Sequence, residues 1–180
     1  LWDAYNDIHM GMCCDLTAKD EKVTREEQDD YAVASYTRAQ KATEEGLNKW
    51  EIVPVEIPQR KGDPVVFDED EGPKSFNEGK LRKLKPAFNR DGGTVTAGNA
   101  SSINDGAGAV VMATEEGIKK HGLTPIARVV SWGFGAMEPK RFPLAPVISI
   151  KNALKAANLE AKDIDFWEIN EAFAAVTLLA

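Results

Sequence analysis

The sequence predicts a layered α/β fold, with strands and helices alternating along the chain. Three observations lead to it. Ala109-Val110-Val111-Met112-Ala113 is continuously apolar, the pattern of a strand buried on both faces. Thr24, with Glu27 three residues on, writes a capping box ahead of a helical pattern. The apolar run from Ile164 to Ile169 gives way to Asn170-Glu171 and then to small helix-forming residues. That is how a buried strand looks where it delivers a polar pair to a strand–helix junction.

The elements follow in order. Behind Thr24, residues Tyr31, Val33, Ala34 and Ala42 supply an apolar helix face until Gly46 stops it. Glu51 to Ile57 reads as a strand through Ile52, Val53 and Val55. Pro58 to Asn77 is a solvated excursion rich in Pro, Gly and charge, with one short strand at Val65-Val66-Phe67. A run of small residues, Gly92 to Ser102, then leads through Asn104-Asp105-Gly106-Ala107-Gly108 into the apolar strand at 109–113. A charged helix at Glu115–His121, a strand at Ile126–Ser131, a helix from about Ile148 to Ala157 and the strand at Ile164–Ile169 complete the alternation.

Of 180 residues, 43% are hydrophobic and 28% charged, so the chain is globular with room for one to two domains. A net charge of −7 argues against a nucleic-acid-binding surface. No apolar run approaches the roughly 20 residues that span a bilayer. The first residue is Leu1 and the last segment, Val176 to Ala180, is an apolar helix; on that ground the chain is expected to be a piece of a longer protein. Cys13 and Cys14 are adjacent and make no disulfide framework, which points to a reducing compartment. The two histidines match no zinc spacing, and no glycine-rich phosphate loop is present.

Four groups of residues invite chemistry. Asn170 and Glu171 must be hydrogen-bonded or used where they stand, because an unpaired buried polar group costs roughly 1–3 kcal/mol. Asn170 as a helix cap fits the local pattern equally well. The small-residue loop from Ala97 to Asn104 lets backbone approach a ligand; Ser101 adds a hydroxyl, and carbonyls there could ring a monovalent cation. A tight turn before a buried strand is the plainer account. Lys74, Lys80, Arg82, Lys83 and Lys85 form a basic island in an acidic chain, either a phosphate-attracting patch or a solvated face. His9 is more readily structural than catalytic, and His121 is a solvated helix end.

Three separated motifs resemble one family, the thiolases of the acetyl-CoA acetyltransferase group. They are His9-Met10-Gly11, then Gly93-Thr94-Val95-Thr96-Ala97-Gly98-Asn99-Ala100-Ser101 with Asn104-Asp105-Gly106-Ala107, and Asn170-Glu171-Ala172-Phe173-Ala174. The resemblance implies a thiolase fold of layered α/β core domains, incomplete here, with a loop or lid region. Its divisions would be 1–90 for the lid, 91–118 for the last strand region of the N-terminal core domain, and 119–180 for the first half of the C-terminal domain. It implies a reversible condensation of two acetyl-CoA to acetoacetyl-CoA, with coenzyme A as substrate and no tightly bound cofactor. Asn170 would fix a water at the enolate oxygen, and Ser101 would bond the pantetheine amide. Ala172, Phe173, Met10 and His9 would line the acyl and pantetheine tunnel. Ser75, Phe76, Asn77 and Lys80 would cover the nucleotide end of coenzyme A. Phe142-Pro143 resembles the dipeptide of mitochondrial members that accept 2-methyl-branched substrates. Tyr5, with Ala97, Gly98 and Ala100, matches positions where that subgroup holds potassium, and Tyr5 borders the substrate as well.

The same resemblance implies a homotetramer, no membrane span and no nucleic-acid partner, in the mitochondrion or alternatively the cytoplasm. It also implies that the nucleophilic cysteine and the catalytic histidine lie outside these residues, so the 180 residues alone would be inactive. Leu16 departs from the family's usual asparagine. Two alternatives stand beside this reading: a longer-chain 3-ketoacyl-CoA thiolase, and a non-catalytic thiolase-like carrier of coenzyme A or lipid.

Overall fold

A computed structural model describes all 180 residues. It opens on a short antiparallel hairpin, β1 (Trp2–Asp3) and β2 (Ile8–His9), which pairs Trp2 with His9. The Asp3 carboxylate closes the turn by accepting the backbone N–H groups of Tyr5 (2.9 Å) and Asn6 (3.3 Å). Burial works against the charge on Asp3, but bonds from the Asn6 side chain and these two amides outweigh it and hold its pKa below the ordinary value.

Helix α1 (Met10–Asp20) follows directly, and its first turn is capped by an imidazole: His9 Nδ1 accepts from Gly11 N at 3.0 Å. Helix α2 (Arg25–Glu44) begins where the sequence predicts, and both halves of the capping box form. Thr24 N donates to Glu27 Oε2 at 2.7 Å, and Glu27 N donates to Thr24 Oγ1 at 3.2 Å.

The excursion after α2 carries the hairpin β3 (Val55–Ile57) and β4 (Val65–Phe67), then the short helices α3 (Glu71–Ser75) and α4 (Glu78–Leu81). Val55 pairs with Phe67 and Ile57 with Val65. The expected strand from residue 51 is therefore shorter, because only 55–57 has a partner to pair with. Further on lie α5 (Glu115–His121), a 3₁₀ segment at Pro139–Leu144, α6 (Ala145–Ala157) and α7 (Ala174–Leu179). Thr114 caps α5, and Gly122 ends it in the left-handed conformation at φ 60°. Helix α6 starts three residues before the expected Ile148, since Pro146 suits a first helical turn.

Three expected strands are not formed. Residues 109–113, 126–131 and 164–169 carry no regular structure and pair with no other strand. Val111 is 92% exposed and Ile126 89% exposed, where the apolar pattern predicts burial. A helix closes its backbone bonds within one segment, whereas a strand must borrow a partner, and no other strand of this chain reaches these three.

The core is small, with 19 of 180 residues buried, so a few contacts decide the packing. Cys14 and Ala18 of α1 meet Val95 and the α7 side of the chain, Phe173, Ala175 and Val176. Phe88, Phe142, Val23, Ala100 and Ala172 pack around them. The 3₁₀ segment lies on α1, where Thr17 Oγ1 donates to Lys140 O at 3.1 Å and Arg141 pairs with Asp20 at 3.2 Å and with Glu21.

Candidate active site

The two most informative motifs of the sequence, far apart along the chain, touch. Ala100 and Phe173 form an antiparallel bridge. Ser101 N donates to Ala172 O at 3.1 Å, and Ala174 N donates to Asn99 O at 2.8 Å. Asn170 and Ser101 consequently line one cleft of about 1040 Å³, which α2, α3 and the β3–β4 hairpin also wall.

The Asn170 amide side chain makes no hydrogen bond within the chain. It does not cap α7, which starts four residues later behind Phe173 with no side-chain cap. The capping account is thereby excluded, and a planar group with two donors and an acceptor faces the cleft unused. The Ser101 hydroxyl is likewise exposed and unbonded.

The loop that carries Ser101 is held from beneath by two helices. Asp15 of α1 accepts from Thr94 N (2.7 Å), Val95 N (2.9 Å) and Asn89 N (3.3 Å). Asp29 of α2 accepts from Asn99 Nδ2 at 3.0 Å while Arg25 Nε holds its other oxygen at 2.8 Å. Asn99 Oδ1 accepts from Thr96 N at 2.7 Å, so that side chain spends both ends inside the protein. Gln28 Nε2 donates to Thr94 Oγ1 at 2.9 Å; its Oε1 is buried without a partner. Gly98 is small for a packing reason: a Cβ there would sit 2.7 Å from Leu81 Cγ.

Glu171 was noticed in the sequence only as half of a polar pair. Its carboxylate accepts from Tyr31 OH at 2.7 Å and from Ser35 Oγ at 2.6 Å, both on α2. Burial raises the Tyr31 pKa above its ordinary value; a bond with Thr177 opposes this, and the Glu171 bond adds to it. Nothing local in the sequence marks these partners, 140 and 136 residues away.

The remaining candidates are spread more widely. His9 is committed to its cap and stacks on Phe88 with centroids 4.4 Å apart. Phe88 meets Phe173 edge-on at 6.5 Å, and Phe173 meets Phe142 at 6.2 Å. His9, Phe173 and Phe142 thus share one aromatic column, with Met10 half-buried at its His9 end and Pro143 buried beside Phe142. Ala172 packs against the core. Phe76 stacks on Tyr36 of α2 at 4.7 Å, Asn77 caps α4 by accepting from Lys80 N at 2.9 Å, and Ser75 Oγ donates to Gly72 O at 3.1 Å. Within the basic island Lys74 pairs with Glu69 and Arg82 with Asp30 and Glu78, whereas Lys80, Lys83 and Lys85 form no ion pair.

The carbonyls of Ala97, Gly98 and Ala100 accept no hydrogen bond within the chain, while that of Asn99 does. Tyr5 is 89% exposed, its hydroxyl is unbonded, and it does not line the cleft. No group of three or more His, Cys, Asp or Glu side chains could hold a metal ion. Neither cysteine is a nucleophile in waiting. Both are buried; burial, then the charges of Asp15 and Cys13, push the Cys14 thiol up to about 12, and burial also raises Cys13.

The family model for the thiolase N-terminal domain matches residues 1–116, and that for the thiolase C-terminal domain matches residues 123–180. Over 179 residues the chain is 50% identical to acetyl-CoA acetyltransferase 2 of Arabidopsis thaliana, covering 99% of this chain and 44% of the relative. It is 46% identical over 178 residues to a mitochondrial acetyl-CoA acetyltransferase of Danio rerio, again over 99% of this chain and 42% of the relative. Among solved structures, the Bacillus anthracis acetyl-CoA acetyltransferase superimposes with a TM-score of 0.94 at 42% identity, covering 99% of this chain and 45% of that one. Human mitochondrial 3-ketoacyl-CoA thiolase superimposes with a TM-score of 0.92 at 40% identity, with the same two coverages. The chain spans under half the length of the relatives it matches. Two family domains in order, and a backbone that follows thiolases throughout, establish that this chain belongs to the thiolase family and has its fold.

Proposed function

We propose that this chain is part of an acetyl-CoA C-acetyltransferase, which condenses two acetyl-CoA to acetoacetyl-CoA and cleaves short 3-ketoacyl-CoA in reverse. The observation that carries the reading is the unbonded Asn170 amide in the cleft walled by Ser101. Carbon–carbon bond formation beside a thioester builds negative charge on the thioester oxygen, and a fixed donor aimed there stabilises it. Asn170 would serve by orienting a water at that oxygen. Ser101 would bond the pantetheine amide and so align the acyl group with the reacting atoms. The three free carbonyls at 97, 98 and 100 would hold a potassium ion that stiffens the Ser101 loop; Tyr5 enters on sequence likeness alone.

His9, Met10, Ala172, Phe173 and the Phe142-Pro143 pair would supply an apolar wall with room for a 2-methyl branch. Ser75, Phe76, Asn77 and Lys80 would meet the nucleotide end of coenzyme A, for which the unpaired Lys80 offers a cation. The thiolate and the catalytic base would come from residues outside this chain, because Cys13 and Cys14 are buried with raised pKa. The 180 residues alone would therefore not turn over. Assembly as a homotetramer belongs to the same proposal. So does a mitochondrial or cytosolic site, since relatives of both descriptions match.

Replacing Asn170 by Ala in the complete enzyme tests the reading. Turnover is expected to fall about 10²-fold, with KM for coenzyme A nearly unchanged, the signature of an interaction made in the transition state. An unaltered rate would remove the assignment. The likeness to a 3-ketoacyl-CoA thiolase favours a second reading, activity on longer chains. A chain-length profile that peaks beyond four carbons would select it.

A further inference from the structure

We infer that Glu171 is a positioning residue for Asn170, held by a two-pronged clamp from Tyr31 and Ser35 of α2. The inference rests on the role proposed above for Asn170 and deepens it.

The Asn170 side chain is not held by bonds of its own, and the segment before it, 164–169, has no sheet partner. The backbone turn that presents it is closed by Ala172 N donating to Asn170 O at 3.0 Å. Downstream, Ala172 and Ala174 are tied to the Ser101 loop. Between those ties and Asn170 stands Glu171, and each of its oxygens takes a separate hydroxyl: Tyr31 OH at 2.7 Å and Ser35 Oγ at 2.6 Å.

Tyr31 and Ser35 stand four apart on α2 and so project from one face of that helix. The same helix grips the Ser101 loop through Asp29 and Asn99. One rigid element thereby fixes both walls of the cleft, the Asn170 turn and the Ser101 loop. Two charge-assisted bonds to separate oxygens define a direction as well as a distance, which a single bond does not. A small drift of a catalytic amide is costly in rate while leaving binding nearly intact.

The test uses the complete enzyme that carries this sequence, in the thiolysis direction with acetoacetyl-CoA and coenzyme A. Glu171→Ala is expected to lower kcat about tenfold or more, with both KM values within about twofold. Tyr31→Phe and Ser35→Ala each remove one prong and should lower kcat by less. In the Glu171→Ala background neither should have a further effect, since its partner is gone. Glu171→Gln should recover much of the rate, because an amide can accept from one hydroxyl and donate to the other. A purely structural role would instead shift the unfolding midpoint without this pattern. Full activity of Tyr31→Phe/Ser35→Ala overturns the inference, as does strict additivity with Glu171→Ala. If Glu171→Ala fails to fold, the two hydroxyl variants decide alone. Asn170→Ala, run alongside, separates the two claims: if it is slow while the clamp variants are not, only the clamp falls; if it is not slow, the underlying role falls.

Discussion

Residues 89–100 and 101–114 are consecutive, and neither contains a helix or strand, yet the first is gripped by side chains of two helices and the second is tied to the fold at Ser101. The first is the more polar of the two. Even so, Val95 and Thr96 are fully buried, because Asp15, Gln28 and Asp29 reach up from α1 and α2 and take its amides and side chains. The second holds the most apolar run in the sequence, and Val110, Val111 and Met112 stand in solvent. Burying such side chains would contribute about 1.5–3 kcal/mol each. Apolar character sets how much burial would stabilise a segment; a partner decides whether burial happens. The relatives are more than twice as long as this chain, so further sheet has room to cover 109–113 there.

The contrast can be broken most severely at Asp15. Asp15→Ala strands the buried amide of Val95, at roughly 1–3 kcal/mol, and the half-buried amide of Thr94. A large fall in the urea midpoint is expected, with protection lost across 89–100 in hydrogen exchange. Gly11→Ala comes next. A Cβ there lies 2.2 Å from the Phe88 ring, which would have to leave its stack on His9. Overpacking of this kind costs about 1–3 kcal/mol, and near-ultraviolet circular dichroism should report the displaced ring.

Glu27→Gln is a milder cut at the start of α2. Bonds from the Thr24 backbone N–H and then its hydroxyl hold the Glu27 carboxyl below the ordinary value of 4.5. Its folded pKa lies under its unfolded one, so its stabilisation is complete above the unfolded value and is lost as pH falls through the folded one. The variant should melt below the parent at pH 7, and the gap should close as pH drops well under 4.5. The smallest effect is expected at Val111→Ser. With 92% of that residue exposed, stability should change by no more than about 0.5 kcal/mol. A loss of several kcal/mol there would mean that the run is buried after all.

Helices were the legible part of the fold. The capping box fixed the start of α2, and the charged run Glu115–His121 marked α5. Each of these signals is local in the backbone. Helix α1 carries no such mark, since its cap is a histidine and its interior mixes Cys13, Cys14, Asp15 and Thr17, all buried against different neighbours. The motifs around Ser101 and Asn170 were visible as chemistry without a location. Asp15 escaped notice and Glu171 was seen without its partners, for a common reason: those partners lie 79 and 140 residues away for the Thr94 and Tyr31 bonds.

Helices α2 and α5 and the presence of a small-residue loop and an Asn-Glu junction were therefore settled by order and spacing along the chain, because each depends on interactions a few residues apart. That the junction and the loop form one cleft, that the Asn170 amide is free while Glu171 is bound, and that three apolar runs remain unpaired were decided by the tertiary structure. Hydrogen bonds across a fold go to whichever group is brought within 3 Å, and the chain's own order does not name that group.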